Sequence, residues 1–410
     1  MAGYFSKTDF TPSTSNTYTV SFWVKINNFA PTTTNVPYLW SISDSDPSGL
    51  FFQGDTTPNN ITFYRNNGNT RFSPTVYMRD VNAWYHIHLK VSSGTGTLYY
   101  NGESVKTSIT VDAQNYNGGC AEHYIHTYGG GLSSYDNLEC VMSHFHFVDG
   151  TAYDPTVFGS TDATTGEWKI NTAPSVTYGT NGYFILKDGN TGTDHSGNGN
   201  NFTLTGTCTK TEDCPSNVFA TWNPLDNYYA SATLTNGNTK VATNNSAYSA
   251  TLTSLGASSG KYYAEFKLID KGSGYCQIGI KGKQPTATSD GVGAGSDGLA
   301  YRRDGYKLLN GSSSTYGTSY DNNDIIGIAM DLDNNKLYFS KNGTFQNSGD
   351  PTSGSTGTGA ISIDSGETYF FMLSDLGGGV CTFQANFGSP PFSISSGNSD
   401  ANGYGNFEYS

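Results

Sequence analysis

Hydrophobic and polar positions alternate along short segments of this chain, and helical periodicity is nearly absent. In residues 18–26 (YTVSFWVKI) every even-numbered position is apolar, so these side chains share one side of an extended strand. Residues 84–91 (WYHIHLKV) alternate in the same way, with Ile87, Leu89 and Val91 on one face. Each segment therefore predicts a β-strand of a sandwich, with one face in the core.

The C-terminal half repeats this organisation. Residues 261–268 (KYYAEFKL) alternate, whereas the continuous apolar character of residues 324–331 (DIIGIAMD) predicts a central strand. Turn formers separate the strands, as at Asn101-Gly102, where both residues can take a positive φ. Further turns are predicted at 333–335 and 341–343, and further strands at 336–340, 369–374 and 380–387.

These patterns predict an all-β protein with two antiparallel β-sandwich (jelly-roll) domains in tandem. Residues 188–201 (DGNTGTDHSGNGNN) are almost all turn formers, and a weakly apolar stretch follows them. We therefore expect a first sandwich over 1–205, a connector over 206–255, a second sandwich over 256–395 and a surface tail over 396–410.

The amino-acid composition excludes several classes of protein. Of 410 residues only 13% are charged, against about 25% in typical domains, and 14% are aromatic. Few charges exclude a long coiled coil, and so many aromatic residues exclude a disordered chain. The net charge of −13 repels phosphate backbones, and no apolar run approaches about 18 residues. We expect no nucleic-acid partner and no membrane insertion.

Six cysteines in 410 residues are too sparse for a disulfide scaffold. The first ten residues (MAGYFSKTDF) lack the apolar region of a secretory signal, so we expect synthesis in a reducing host cytoplasm. Cys208 with Cys214 and Cys120 with Cys140 are the pairs that could approach each other. Unpaired, mostly buried thiols are the favoured interpretation.

Four signatures follow one another in the C-terminal half: GKYYAE at 260–265, IGI at 278–280, DIIGIAMDLDNNKLYFSKNG at 324–343 and NFGSPPF at 386–392. Through them residues 260–392 resemble a SPRY domain. Ala264 departs from the pattern, because the family commonly has Trp there. The resemblance implies a compact sandwich whose loops at one end recognise partners.

Residues 1 to about 205 are similar to concanavalin-like jelly rolls of the laminin-G type, through TVSFWVK at 19–25, WYHI at 84–87 and LYYNG at 98–102. Other strings resemble phage-encoded proteins in which such a module precedes a SPRY-like one, notably in phages of marine bacteria. These strings are FHFVD at 145–149, Asp154-Pro155, Phe158-Gly159, GEW at 166–168, DHSGNGNN at 194–201, DCP at 213–215 and NPL at 223–225. The resemblance implies a virion surface protein.

Two patterns that could indicate an enzyme are weak. Residues 256–260 (GASSG) satisfy G-x-S-x-G, but a strand rather than a helix follows the serine, which a nucleophile elbow does not allow. Glycan hydrolysis needs two carboxylates beside the scissile bond, and the Glu-x-Asp-x-x-Glu run of laminarinase-like enzymes is missing. We predict no catalytic residues.

Two strand segments each place two histidines on one face, His86 with His88 and His144 with His146. If the segments pair, four imidazoles could bind Zn²⁺ or Ni²⁺. The favoured interpretation places them on the outer face, because the alternating apolar residues occupy the core face.

Acidic residues in Gly-rich loops offer the oxygen ligands that Ca²⁺ requires. The candidates are Asp44 with Asp46, and Asp188 and Asn190 with Asp194. Laminin-G-like modules often bind Ca²⁺ at a rim, and ordinary Asx-turns are the alternative. The sequence does not require a cofactor, and Ca²⁺ is the one that it favours.

A stretch ending at residue 320 (GLAYRRDGYKLLNGSSSTYGTSY) interleaves tyrosines with two arginines in an acidic chain. Tyrosine rings stack on sugar faces and peptide planes, and arginine adds a planar fork of donors. We predict a ligand-binding face there, formed by Arg302, Arg303, Tyr306, Tyr316 and Tyr320.

These inferences favour a non-enzymatic phage structural protein, on capsid or tail, that adheres to a host-surface glycan or protein. Several copies in one virion, or a homo-oligomer, would convert weak contacts into avidity. Other virion proteins are expected partners. No coiled-coil or β-helix stalk is evident, which favours a compact accessory or capsid-bound role. The alternatives are a structural decoration protein without an external ligand and a polysaccharide depolymerase.

Overall fold

The computed structural model describes residues 3–11, 15–27, 37–42, 48–53, 59–65, 69–111, 122–127, 138–187, 191–229, 231–244, 249–273, 275–282, 298–375 and 379–409. Within these ranges the regular elements are β-strands and three short 3-10 helices. The chain forms two compact units, Met1–Val218 and Phe219–Ser410. The prediction of an all-β protein made of antiparallel sandwiches is confirmed.

The first unit is built from short strands that the alternating segments form. Its elements are β1 (Tyr4–Lys7), β2 (Tyr18–Ile26), β3 (Tyr38–Ile42), β4 (Ser48–Gln53), β5 (Asn60–Arg65), β6 (Thr70–Phe72), β7 (Trp84–Ser92), β8 (Thr95–Tyr100), β9 (Glu103–Thr110), β10 (His123–Ile125), β11 (Cys140–Asp149), the 3-10 helix η1 (Pro155–Val157), β12 (Gly159–Thr161), β13 (Trp168–Ile170), β14 (Tyr183–Ile185) and β15 (Thr203–Thr205).

Two antiparallel sheets enclose the core of the first unit. Sheet A has the order β15-β1-β10-β3-β4-β5-β6, sheet B has the order β14-β11-β2-β7-β8-β9, and β12 pairs with β13 apart from both. Tyr18, Phe22 and Ile26 of β2 lie in the core, where the Phe22 ring stacks on Phe145 at 4.9 Å. Alternation therefore defines the inner face of β2, as the sequence predicted.

The second unit repeats the architecture with its own elements. They are β16 (Trp222–Tyr229), β17 (Thr233–Thr235), β18 (Lys240–Ala242), β19 (Ser249–Ala257), β20 (Lys261–Asp270), β21 (Cys276–Lys281), β22 (Gly298–Arg302), β23 (Tyr306–Leu309), β24 (Ser312–Thr315), β25 (Ile325–Asp331), β26 (Lys336–Lys341), β27 (Thr344–Phe345), the 3-10 helices η2 (Gln346–Ser348) and η3 (Pro351–Thr356), β28 (Ile361–Ser362), β29 (Tyr369–Asp375) and β30 (Thr382–Asn386).

Its two sheets are also antiparallel. Sheet C has the order β16-β19-β29-β21-β22-β23-β24, and sheet D has the order β17-β18-β30-β20-β25-β26-β27, with β28 paired to β26. Trp222, Phe266 and Phe383 are among the fully buried core residues. A second apolar cluster, which includes Leu252 and Met372, lies among sheet C strands and is separate from this core.

The tight turns lie where the sequence placed them. Asn101 and Gly102 both have positive φ, 47° and 82°, and they join β8 to β9. Asn342 and Gly343, with φ of 47° and 78°, join β26 to β27 in the same way. Asparagine and glycine are the residues that accept this left-handed conformation most readily.

The structure divides the chain at different points from those that composition suggested. Of the expected connector 206–255, residues up to Val218 belong to the first unit. The rest contributes β16, β17, β18 and part of β19 to sheets C and D. In the expected surface tail 396–410, Phe407 is buried and its ring lies 5.3 Å from that of Tyr263.

Cysteine pairing differs from the expectation of unpaired thiols. Cys276 at the start of β21 and Cys381 just before β30 form a disulfide, with their Cα atoms 6.2 Å apart. The expectation is therefore wrong for this pair, which joins sheet C to the segment entering sheet D. Within the described residues Cys140, Cys208 and Cys214 take part in no disulfide, and Cys120 lies outside the described residues.

No helix in the described ranges is both long and apolar enough to span a bilayer.

Candidate ligand-binding surface of the second unit

The hairpin between β22 and β23 presents Arg302 outward. Tyr301, one residue earlier, is fully buried in the core, and alternation then places Arg302 on the opposite side of sheet C. The turn that follows contains Asp304 and Gly305, and the amide of Gly305 donates to the carbonyl of Arg302 at 3.0 Å. Gly305 has a φ of 92°, which glycine adopts without strain.

Two exposed tyrosines flank this arginine. The guanidinium carbon of Arg302 lies 5.4 Å from the ring centroid of Tyr275 and 5.4 Å from that of Tyr306. Tyr275 is 53% exposed and Tyr306 is 38% exposed. Each cation–π contact of this kind contributes roughly 0.5–1 kcal/mol at an exposed site. The three side chains form what we call the Tyr-Arg-Tyr cluster.

Asp304 fixes the orientation of the guanidinium. Nε of Arg302 donates to Oδ1 of Asp304 at 2.8 Å, and Nη2 donates to Oδ2 at 2.5 Å. Hydrogen bonding to Arg302 lowers the pKa of Asp304, and the same bonds raise the pKa of Arg302. Within the described residues Nη1 has no hydrogen bond to the protein, so both of its N–H groups can donate to a ligand.

The arrangement suits stacking recognition. A bidentate pair holds the guanidinium plane still, and two partly exposed rings provide flat apolar surface with hydroxyl groups at their ends. Such a surface can pack against a sugar face or a peptide plane while Nη1 donates to an oxygen atom.

The other three predicted binding residues have different roles. Nη1 of Arg303 donates to the backbone carbonyls of Lys271 at 3.1 Å and Gly272 at 3.4 Å. Tyr320 is buried, and its hydroxyl donates to the carbonyl of Tyr301 at 3.1 Å. Tyr316 packs edge-on against Tyr301 at 5.6 Å. These contacts stabilise the hairpin. Arg303 and Tyr316 are partly exposed, as Arg302 is, and of the three only Tyr320 is buried.

Sequence reasoning missed Tyr275 and Asp304. Tyr275 lies outside the tyrosine-rich stretch, and only the pairing of β21 with β22, in which Gln277 opposes Arg302, brings its ring near the arginine. The sequence could have predicted the role of Asp304, because an acidic residue two positions after an arginine, in an Asp-Gly turn, can reach the side of the strand on which the arginine lies.

The calcium candidates fall mostly outside the described residues. Asp44, Asp46, Asp188 and Asn190 all lie outside them. The Asp194 carboxylate accepts backbone N–H bonds from Phe184, Ser196 and Asn200, each at 2.8 or 2.9 Å. Asp194 therefore organises the turn that follows it. Across the described ranges, no group of three or more His, Cys, Asp or Glu side chains could hold a metal ion.

The four paired histidines occupy the outer face of sheet B, but they are buried. His86, His88, His144 and His146 are each at most 3% exposed. Their ring nitrogens bond to protein groups, among them the hydroxyl of Ser21, the carbonyl of Tyr153 and the hydroxyl of Tyr178. The arrangement does not supply a convergent set of metal ligands.

Family models match both units. Residues 2–135 match the model of the concanavalin A-like lectin/glucanases superfamily, in its laminin-G form, and residues 261–360 match the model of the SPRY domain. The chain therefore combines a laminin-G/concanavalin-like domain with a SPRY domain, and the predicted combination is confirmed.

Solved structures are similar to parts of the chain. The SPRY domain of human HERC1 is 18% identical with a TM-score of 0.33, over 40% of this chain and 96% of that domain. The stonustoxin structure is 16% identical with a TM-score of 0.32, over 41% of this chain and 27% of the toxin. A human SPRY domain is 15% identical with a TM-score of 0.28, over 37% of this chain and 94% of that domain.

Proposed function

We propose that this chain is a non-enzymatic adhesion protein on the surface of a bacteriophage virion, and that its SPRY domain binds a host-surface glycan. The observation that carries the binding role is the Tyr-Arg-Tyr cluster, in which Arg302 lies between the half-exposed rings of Tyr275 and Tyr306. Arginine and tyrosine clusters of this type are enriched at recognition surfaces.

A glycan suits the cluster better than an anionic ligand does. Asp304 already neutralises Arg302 through two hydrogen bonds, and the chain carries a net charge of −13. A neutral sugar can stack on the tyrosine rings and accept a hydrogen bond from Nη1 without charge repulsion. One small site of this kind binds weakly, so many copies on one particle would supply the avidity that adhesion needs.

The virion assignment is supported by the domain combination and by the residue strings that resemble phage-encoded proteins, among them FHFVD at 145–149 and DHSGNGNN at 194–201. Immunogold electron microscopy of intact particles, with an antibody against this chain, tests it. Label on the capsid or the tail is expected. Label absent from intact particles, with the protein present in the infected cell, would contradict the assignment.

The binding role predicts the behaviour of three variants. Arg302→Ala, Tyr275→Ala and Tyr306→Ala should each weaken glycan or host-cell binding about tenfold or more, because each removes a central contact of a small interface. The measurement is binding of the labelled protein to a glycan array and to host cells, beside thermal denaturation of each variant.

The first unit provides a matched control. Its Arg79 lies 5.9 Å from the ring of Tyr77, which is 49% exposed, so Arg79→Ala removes a similar exposed pair elsewhere. Binding should be unchanged in this variant. Arg303→Ala should lower the melting temperature, because two backbone carbonyls lose their donor.

Three results would overturn the proposal. A glycan array and host cells that bind no wild-type protein would favour the structural decoration protein. Release of sugars from host polysaccharide would favour the depolymerase. Binding that survives all three cluster substitutions would remove the assignment of the site.

A further inference from the structure

The outer face of sheet B is covered by residues 151–178, which we call the flap. The flap contains η1, β12 and β13, and aromatic side chains form its underside. The ring centroid of Phe158 lies 5.5 Å from His88 and 5.0 Å from His146, and the Trp168 indole stacks on His86 at 5.9 Å. Histidines of the sheet and aromatic residues of the flap therefore form one packed layer.

His86 must be neutral for the flap to pack in this way. The indole N–H of Trp168 donates to Nδ1 of His86 at 3.0 Å. An indole nitrogen can only donate, so Nδ1 carries no proton, and the remaining proton on Nε2 points to the Ser21 hydroxyl at 2.8 Å. A proton added to Nδ1 would set two N–H groups against each other and break the bond to the flap.

The closed flap also requires a neutral His88. Its Nε2 lies 3.0 Å from the carbonyl oxygen of Tyr153 in the flap, so Nε2 carries the proton of the neutral ring. Its Nδ1 is buried and has no hydrogen-bond partner among the residues that the structure describes. Protonation would place an unsatisfied charged donor in this layer, which is strongly unfavourable.

Burial accordingly lowers the pKa of these side chains. It lowers the pKa of His88 to about 4, and it lowers the pKa of His86 and of His146 well below the usual value of 6.5. Repulsion between neighbouring imidazoles, His88 with His86 and His144 with His146, adds to the effect of burial. All three rings are therefore neutral while the flap is closed.

Where the flap meets sheet B, few charged groups oppose the lowering of the histidine pKa values. Lys90 of β7 and Asp154 of the flap form an ion pair at 2.6 Å, in which Asp154 raises and Lys90 lowers the pKa of His88. The titratable and charged groups that face the three histidines are Lys90, Tyr99, His144, Tyr153, Asp154 and Tyr178.

We propose that the flap is an acid-operated conformational switch: protonation of His86, His88 and His146 releases residues 151–178 from sheet B while the rest of the first unit stays folded. The local arrangement supports a separate movement. Trp168, Tyr153 and Tyr178 each make one hydrogen bond to a histidine ring, whereas the core of the unit lies on the opposite face of the sheet. Apart from the histidines, the bonds between flap and sheet lie at the two ends of the flap: the Thr19 hydroxyl bonds to the backbone of Thr151 and Tyr153, Lys90 pairs with Asp154, and the amide of Asp149 donates to the carbonyl of Tyr178.

Hydrogen–deuterium exchange of the full chain between pH 7 and pH 4.5, corrected for the intrinsic pH dependence, tests the proposal. A histidine that is neutral when the flap is closed and titrates near 6.5 when it is open raises the opening constant about tenfold per pH unit below 6.5. Peptides from residues 151–178 should lose protection steeply, while peptides from the core strand β2 should keep it.

Variants distinguish the protonation of these histidines from the protonation of other groups at low pH. His86→Gln and His88→Gln keep a donor and an acceptor but cannot titrate in this range. Each variant lacks one titrating ring, so its opening constant should rise about tenfold less per pH unit than that of wild type. His195→Gln is the matched control, because His195 is exposed and lies outside the layer; it should behave as wild type.

The proposal fails if the wild-type flap stays protected down to pH 4.5, or if it loses protection only together with β2. It also fails if the two glutamine variants fold but open with wild-type pH dependence. Should a variant fail to fold, the wild-type comparison of flap and β2 peptides still decides the matter.

Discussion

At the scale of single residues, the geometry around His126 requires a protonated ring, whereas the histidines beneath the flap must be neutral. Both ring nitrogens face backbone carbonyls, with Nδ1 3.1 Å from the oxygen of Gly3 and Nε2 2.9 Å from that of Leu138. Both nitrogens must therefore donate, which only the protonated ring can do. Burial alone would lower the pKa of His126, but Cys140 and the two carbonyls outweigh it and raise the pKa to about 9.

This geometry predicts a stability that depends on pH. Because the folded-state pKa of about 9 exceeds the unfolded value near 6.5, the stabilisation from His126 is fully present below pH 6.5 and is lost as the pH rises to 9. The loss amounts to about 3 kcal/mol. Urea unfolding of the first unit at pH 6.5 and pH 9.5 measures it.

The variant His126→Ala supplies the comparison. It should be less stable than wild type at pH 6.5, because two buried carbonyls lose their donors. The gap between variant and wild type should narrow by pH 9.5. A gap that is constant with pH would show that His126 is neutral in the folded chain.

At the scale of elements, Glu265 on β20 holds the C-terminal segment against the second unit. Its fully buried carboxylate accepts backbone N–H bonds from Glu408 at 3.0 Å and Tyr409 at 2.6 Å, and a third bond from Nδ2 of Asn386 at 3.1 Å. Burial raises the pKa of Glu265, while these bonds oppose the shift. A strand residue thus has the role of an anchor for the segment around residue 408.

Removing this segment should destabilise the SPRY domain. Deletion of residues 405–410 leaves the buried carboxylate without two donors and uncovers Tyr263, and we expect a loss of about 3 kcal/mol or more. Thermal and urea denaturation measure the change. Tyr404→Ala, at a residue that is 62% exposed, should change stability little. Equal stability of the deletion and wild type would refute the anchoring role.

At the scale of the whole molecule, each compact unit has its own core and sheets. The boundary between Val218 and Phe219 leaves β16–β19 with the second unit, where Trp222 is fully buried and its ring lies 5.8 Å from Phe266. The composition of residues 206–255 suggested a linker because few of them are apolar, but a few well-placed apolar residues are enough to bury a strand.

Fragments test this boundary. The fragment 219–410 should fold and unfold cooperatively, because sheets C and D are complete within it. The fragment 256–410, cut at the compositional boundary, lacks Trp222, Val241 and Leu252, all buried, and should aggregate or unfold at a much lower temperature. Circular dichroism during heating compares them. Equal melting temperatures would contradict the boundary at 218/219.

Strand positions were predicted well because they depend on local patterns. Segment 18–26 coincides with β2, and 261–268 lies within β20. The structure brings only some of the residues predicted for the candidate site together. Arg302 and Tyr306 lie in the exposed cluster, whereas Tyr320 is buried and Tyr275 was missed. Pairing between strands distant in sequence determines which aromatic rings meet, and no local pattern contains that information.

The sequence alone determined the all-β class, the strands, the turns and the side of each strand that faces the core, because alternation and positive-φ residues act over a few positions. Only the tertiary structure decided which segments cover the side of a strand that faces away from the core. It buried the histidines of sheet B beneath the flap, joined Cys276 to Cys381 and bound residues 408 and 409 to Glu265. These arrangements depend on which distant segments meet when the sheets close, and the sandwich as a whole fixes that.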